Sequence, residues 1–467
     1  MKSKTLAAAI TVACSVLVPS IAQATNGYFS HGYGTKNKGM AGAGTALPQD
    51  AMISAVNVAG VVWVDRRMDV GLTLFSPHRE YTQRSSTNNF PPAAIAGGMA
   101  PPWPVPVGSN PDFTGTVDSE ENFFLIPHFA YAHPLDDSSA LGVSLYGNGG
   151  MNTSYDRKDT TALPGTPGAT GLGTYGGAMA TPAAASTGVD LSQLALNLNY
   201  SRKLTDDFSL GGGLILSYQR FKARGLTPFG MLVSDGNPDN LSNKGYEGVF
   251  GWGAQIGALW KVNEQFSIGA AYQTKIDFEP FDDYSDLFAG KGDLDAPAFV
   301  NVGLAFKPRQ DITLAFDIQH IWYSDVDALG NNTTSNLSLC LAGQTQHCLG
   351  ANDGPGFGWE DMTVYKFGVQ WDYKPDLTFR AGYSYGEQPV PSESVLFNVL
   401  APAVIEQHFT LGLTKQIGKN MELNFAGMYA PKNDVDCGCS LPFSGGADSI
   451  NIAMSQWELE MSVGLRF

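Results

Sequence analysis

The clearest periodicity in the chain is its last. Trp457, Leu459, Met461, Val463, Leu465 and Phe467 alternate with Gln456, Glu458, Glu460, Ser462, Gly464 and Arg466. A β-strand sends successive side chains to opposite faces, so the apolar groups share one face and the polar groups the other. No water-soluble core needs two glutamates and an arginine on a concealed face. A membrane barrel does, because its outside meets lipid while its lumen is polar. The terminal aromatic residue is a further barrel signature.

Similar segments recur near 67–77, 122–133, 138–147, 188–202, 207–222, 248–261, 265–277, 297–307, 311–323, 362–374, 376–386, 404–416, 420–430 and 456–467. Fourteen is an even number, as single-chain bacterial barrels require. Short connections at 133–137, 204–207, 262–264, 307–310, 374–376 and 417–420 carry Pro, Gly, Asn and Asp, the residues of tight turns. Between them fall long ones at 78–121, 148–187, 223–247, 278–296, 324–361, 387–403 and 431–455. Short periplasmic turns and long outer loops are the barrel rule. The expected fold is an all-β transmembrane barrel of 14 antiparallel strands.

The N-terminus reads as an export leader. Lys2 and Lys4 precede an apolar run from Leu6 to Val18, and Ala22-Gln23-Ala24 offers a small-residue cleavage site. The run is shorter than the roughly 20 residues of a membrane-spanning helix. The expected division is 1–24 signal peptide, 25–66 an N-terminal hatch, and 67–467 the barrel. The hatch stretch is rich in Gly and Ala and lacks a strand period. An open tube of this size would leave an aqueous hole, so an internal plug is the expectation.

Removing Lys2 and Lys4 leaves 26 basic against 44 acidic residues, a net charge of −18. That balance argues against nucleic acid as a partner. Cys340, Cys348, Cys437 and Cys439 remain in an oxidising compartment, where disulfides are expected. Cys340–Cys348 is favoured. Cys437 and Cys439 are two apart, so they either form a strained bridge or pair across to the other loop. His347 is the only nearby histidine, too little for a zinc site. Neither a His-Glu-x-x-His pair nor a phosphate loop occurs, so no enzyme, metal or cofactor is expected.

The hatch stretch resembles the FadL-type transporters of long-chain fatty acids and other hydrophobic compounds. The similarity lies in Gly39-Met40-Ala41-Gly42-Ala43-Gly44-Thr45-Ala46, in Asp50, and in Asn57-Val58-Ala59-Gly60. Val58 stands where that family has proline. Further similarity runs through 122–135, 210–225, 251–275, 296–322 and 354–389, and fails mainly in the long loops. The resemblance implies a hatch-plugged barrel whose ligand leaves sideways through an opening in the wall.

In that family the third strand bends inward. Here the corresponding strand ends with Gly147, Gly149 and Gly150, which weaken pairing and permit a kink; an ordinary strand end is the plain alternative. A fatty acid also needs a cation for its carboxylate. Alternation points Lys366 and Arg380 into the lumen, although Asp317, Glu406, Glu458 and Glu460 point there too and could neutralise them. Arg220 and Lys222 fall on the outward face near a loop end, where they could snorkel to lipopolysaccharide phosphates. Phe229, Met231 and Leu232 in one long loop, and Phe281 and Phe288 in the next, are too apolar for solvated loops. They form a lid, a landing groove for ligand, or both.

The expected function is passive outer-membrane transport of long-chain fatty acids or similar hydrophobic small molecules. Uptake of aromatic hydrocarbons and a general aqueous porin are the alternatives. Expected partners are the hydrophobic ligand, outer-membrane lipid and lipopolysaccharide, and the barrel-assembly machinery, with the chain as a monomer.

Overall fold

Alternation along the chain becomes a closed wall. The computed structural model describes residues 25–84, 114–156, 186–437 and 449–467; the expected leader, 1–24, lies outside these. One antiparallel sheet holds 17 strands, of which Thr114–Asp118, Tyr155–Asp156 and Asp277–Phe278 are short extensions beyond the wall. The remaining 14 are β1 (Arg67–Arg84), β2 (Phe124–Asp136), β3 (Ser139–Asn152), β4 (Ser186–Lys203), β5 (Phe208–Arg224), β6 (Glu247–Lys261) and β7 (Phe266–Gln273), followed by β8 (Phe299–Arg309), β9 (Ile312–Ile321), β10 (Met362–Lys374), β11 (Leu377–Gly386), β12 (Gln407–Ile417), β13 (Met421–Asp436) and β14 (Ser449–Arg466). Each pairs with its neighbour. β14 returns to β1 along the register Arg67↔Arg466 to Arg84↔Ser449, which closes the sheet on itself.

The faces divide as the alternation requires. Leu459, Met461, Leu411 and Phe425 are exposed on the outside, while Glu458, Glu460, Asn424 and Thr410 are buried within. Outward Tyr218, Phe250 and Trp252 lie toward the long-loop end; Trp260, Trp371 and Tyr373 lie toward the short-turn end. Such aromatic girdles mark the two membrane interfaces.

Residues 25–66 fill the lumen. A helical turn Thr35–Lys38, another at Ile53–Val56 and a 3-10 turn Val58–Trp63 pack against the inner wall. Wall glycines make room for them: a Cβ on Gly368 would lie 2.7 Å from the Met40 Cβ, and one on Gly211 2.7 Å from the Ala59 nitrogen. Any larger residue would push the hatch away from the wall.

Buried charge ties the hatch down. Lys36 pairs with Glu422 at 2.5 Å, and Lys38 with Glu458 at 2.9 Å and Glu460 at 2.8 Å. One oxygen of Asp317 accepts from the Gly44 and Thr45 amides and from the Thr45 hydroxyl, each at 2.8 Å. Asp69 accepts from the Ala51 amide at 2.9 Å, and Asp50 from the Met52 amide at 3.0 Å. The turn at Val58 holds without proline because Asn57 builds it. Its side-chain oxygen accepts from the Ala59 amide, and its nitrogen donates to the carbonyls of Thr45 and Ala258. Val58 and Ala59 are fully buried.

Candidate functional site

Among the described residues the wall is interrupted between β2 and β3. β3 pairs with β2 only as far as Leu145↔Phe129. Beyond that rung, Phe124–His128 of β2 and Tyr146–Asn152 of β3 are not partners. The register of β3 against β4 also slips between Gly147 and Gly149, leaving Asn148 as a bulge. Bulges bend a strand, and glycines here offer little resistance. The burial pattern records the bend: every residue from Tyr146 to Asn152 is buried, and so is every residue from Thr187 to Gln193 of β4. Alternation has stopped because this end of the β3–β4 pair leans into the lumen. A gap therefore separates β2 from β3. The glycines expected to permit a kink, Gly147, Gly149 and Gly150, lie at this bend.

The start of the hatch lies against the inner side of the gap. A tight turn is closed by the Asn26 amide on the Phe29 carbonyl at 3.0 Å. Phe29 bridges Gly149, and the Gly150 amide donates to the Tyr28 carbonyl at 3.1 Å. The Tyr28 ring meets Phe29 at 4.7 Å, Tyr323 at 5.9 Å and Trp359 at 6.1 Å. Tyr323 in turn donates its hydroxyl proton to the Asn26 carbonyl.

On the outer-loop side lies a cavity lined by apolar residues. Four loops and three strand residues wall it, among them Met151, Phe221, Phe229, Phe288, Phe357 and Leu400. Its volume is about 40 Å³. An apolar cavity that takes benzene measures roughly 150 Å³, so this mouth is closed and must open to admit cargo. Phe221 of β5 touches Phe288 at 4.9 Å and Phe281 at 5.6 Å, and the Asn240 amide donates to the Asp286 carboxylate at 2.7 Å, so the loops after β5 and after β7 pack together as a lid.

Among the residues singled out from the sequence, Phe229 and Phe288 line the cavity. Phe281 is fully buried behind Phe221, Leu232 is buried with its carbonyl accepting from the Leu349 amide at 2.8 Å, and Met231 is exposed at the loop surface. Lys366 and Arg380 do point inward, but their head groups are engaged elsewhere. Lys366 donates to the His31 carbonyl of the hatch at 3.1 Å; Arg380 donates to Gln370 at 3.0 Å and Thr414 at 2.7 Å. Neither lines the cavity. Of the four carboxylates expected to neutralise these cations, Glu458 and Glu460 are held by Lys38 of the hatch, Asp317 binds the hatch amides and is also the cross-strand partner of Lys366, and Glu406 lies just before β12. Arg220 and Lys222 stack outward over the Tyr246 ring at 4.5 and 4.0 Å.

Cys340 and Cys348 form a disulfide that closes a short helical loop beside the cavity. Cys437 is also disulfide-bonded, which excludes it from cross-pairing with that loop; Cys439 lies outside the described residues. Phe221, Phe357, Phe397 and Trp359 escaped sequence reasoning. Phe221 carried a signal, its inward parity next to Phe281 and Phe288 in the lid loop; the other three sit in loops where spacing is silent.

A closed 14-stranded barrel with a hatch in its lumen, a gap in its wall and an apolar mouth is a plugged outer-membrane channel. Residues 15–438 match the family described as outer membrane protein transport protein (OMPP1/FadL/TodX), and the chain belongs to that family of transport proteins. It is 23% identical to the long-chain fatty acid transport protein of Escherichia coli O6:H1, over 72% of this chain and 77% of that one. It is 22% identical to outer membrane protein P1 of Haemophilus influenzae, over 84% and 92%. The fold is shared with the P. putida toluene transporter TodX at a TM-score of 0.63 and 16% identity, covering 94% of this chain and 99% of that one. A FadL homologue of Pseudomonas aeruginosa gives 0.61 at 14% identity, over 94% and 100%.

Proposed function

We propose that the chain conducts long-chain fatty acids or similarly hydrophobic small molecules across the outer membrane without an energy source. Cargo enters the apolar mouth, passes the Tyr28–Phe29 turn when that turn shifts, and leaves through the gap between β2 and β3. The observation that carries this reading is the Asn148 bulge, which opens the wall directly beside the start of the hatch. The driving force is removal of alkyl surface from water, about 0.8 kcal/mol per methylene. Lateral exit delivers cargo into lipid, so the molecule never has to cross a polar lumen.

The long-chain fatty acid transport protein among the relatives supports the acyl reading. The cavity lining, which holds no charged side chain, is equally suited to a neutral hydrocarbon. Lys366 and Arg380, in this reading, hold the hatch and the wall beside it. Arg220 and Lys222 stand at the outer rim of β5, suited to lipopolysaccharide phosphates.

Deletion of Asn148 tests the exit. It restores continuous register across β3, straightens the strand and narrows the gap. Uptake of radiolabelled oleate and of toluene, in a strain lacking its own transporters, should fall at least tenfold while the heat-modifiable barrel band persists. Undiminished uptake by a folded deletion variant would rule out exit at this point.

A further inference from the structure

At the outer-loop edge of the gap sits a buried cation that makes no ion pair among the described residues. Arg79 of β1 is 4% exposed, and its guanidinium reaches over the Phe124 ring at 5.6 Å. Its hydrogen-bond partners are two backbone carbonyls, of Asn152 on β3 and of Glu121 just before β2. Carbonyls offer partial charge only, so a full positive charge is held here without a carboxylate partner among the described residues. Such a charge is costly to bury.

The surrounding polar groups are also short of partners. Arg79 Nε, both side-chain polar atoms of Asn152, Asn122 Oδ1 and Arg224 Nε are buried and make no hydrogen bond. These residues belong together: Asn122 follows the carbonyl that Arg79 binds, and Arg224 donates to Ser154, two residues beyond Asn152, at 3.1 Å. Buried polar atoms are nearly always satisfied, so five orphans in one cluster, one of them on the guanidinium itself, mark a place for a polar group. The nearest acids are otherwise placed. Asp190 and Glu121 act on the guanidinium through space without pairing with it: Asp190 accepts from Tyr246 and Ser192, and Glu121 offers its backbone carbonyl.

Two neighbours join this cluster to the apolar mouth. Met151 and Val189 line the cavity, and each is the residue before one of the cross-strand pair Asn152↔Asp190. An amphiphile with its tail in the cavity would bring its head to Arg79. We propose that Arg79, with Asn152, is the carboxylate-binding station of the channel, which selects anionic amphiphiles over neutral ones at the edge of the lateral gap. A carboxylate suits it because two oxygens match the guanidinium fork, leaving the Asn152 amide to donate as well. This rests on the proposed hydrophobic conduit and adds to it the chemistry of the head group.

The test uses the full-length protein in detergent with oleate and methyl oleate, which share a tail and differ in charge. Wild type should bind oleate more tightly. Arg79→Gln should weaken oleate at least tenfold and leave methyl oleate unchanged, while Arg79→Lys keeps part of the preference. If Arg79→Gln does not fold, Asn152→Ala removes only orphaned atoms and should still weaken oleate alone, by about threefold. Equal losses for both probes would make Arg79 a strut across the gap, and no loss for either would equally overturn the proposal. Wild type that binds neither probe would instead refute the conduit itself.

Discussion

Phe29 and Gly149 share an antiparallel bridge, which joins the start of the hatch to the bend in β3. The plug and the interruption in the wall are therefore one mechanical unit.

Gly149→Val should separate them. A side chain there meets the Tyr28 ring and lies 2.7 Å from its carbonyl oxygen, an overpacking of about 1–3 kcal/mol. The expected outcome is an N-terminal turn released from the wall and newly open to protease, with a leak current in planar bilayers. Silent bilayers together with a protected N-terminus would remove the bridge as a gate.

Asp317→Ala should loosen the hatch rather than the barrel. Three donors lose a shared charged acceptor, and hydrogen bonds to charge are worth about 1.5–3 kcal/mol each, not additively. Urea should open ion conductance at a lower concentration than in wild type, while the barrel's thermal transition stays put. Asp317→Asn, which keeps one acceptor oxygen, should fall between the two.

Replacing Cys340 and Cys348 by serine frees a loop that closes over eight residues of sequence separation. Chain-entropy reasoning puts the loss at about 2–3 kcal/mol. Hydrogen exchange should rise at 345–357 and at 229–241, which meet through the Leu349–Leu232 contact, and remain slow in the strands. Unchanged exchange in both loops would mean the disulfide adds nothing to the lid.

The lid should also respond to pH through Asp293. Burial, reinforced by the charge of Asp295, pushes its carboxyl up to about 6. The folded loop thus holds the proton more tightly than the unfolded chain, where the pKa is about 3.9. This contribution to loop packing is fully present below that value and is lost as pH rises through about 6. Exchange at 281–296, corrected for intrinsic rates, should be slower at pH 4.5 than at pH 7.5. Asp293→Asn should shrink the difference, leaving the part carried by Asp286, whose carboxyl burial also raises.

Much of the barrel is local physics. The pleat forces period-2 alternation, so Leu459 and Met461 had to face away from Glu458 and Glu460, and tight-turn residues had to mark the short-turn end. Facing, however, is not pairing. Lys366 and Arg380 were legible as inward cations, yet their partners come from the hatch backbone and from neighbouring strands. Lys38, in a stretch without any period, claims Glu458 and Glu460 across more than 400 residues of chain. Glycines in β3 could be read, but not which way the strand would bend. The slip at Asn148 and the docked Tyr28–Phe29 turn decide that. The mouth is assembled from four loops remote in sequence, and orphaned Arg79 is visible only once its neighbours are in place. Strand faces and turns follow from the chain alone because they depend on adjacent residues; the gap, the plug's anchors and the mouth are long-range contacts, which only closure of the barrel brings together.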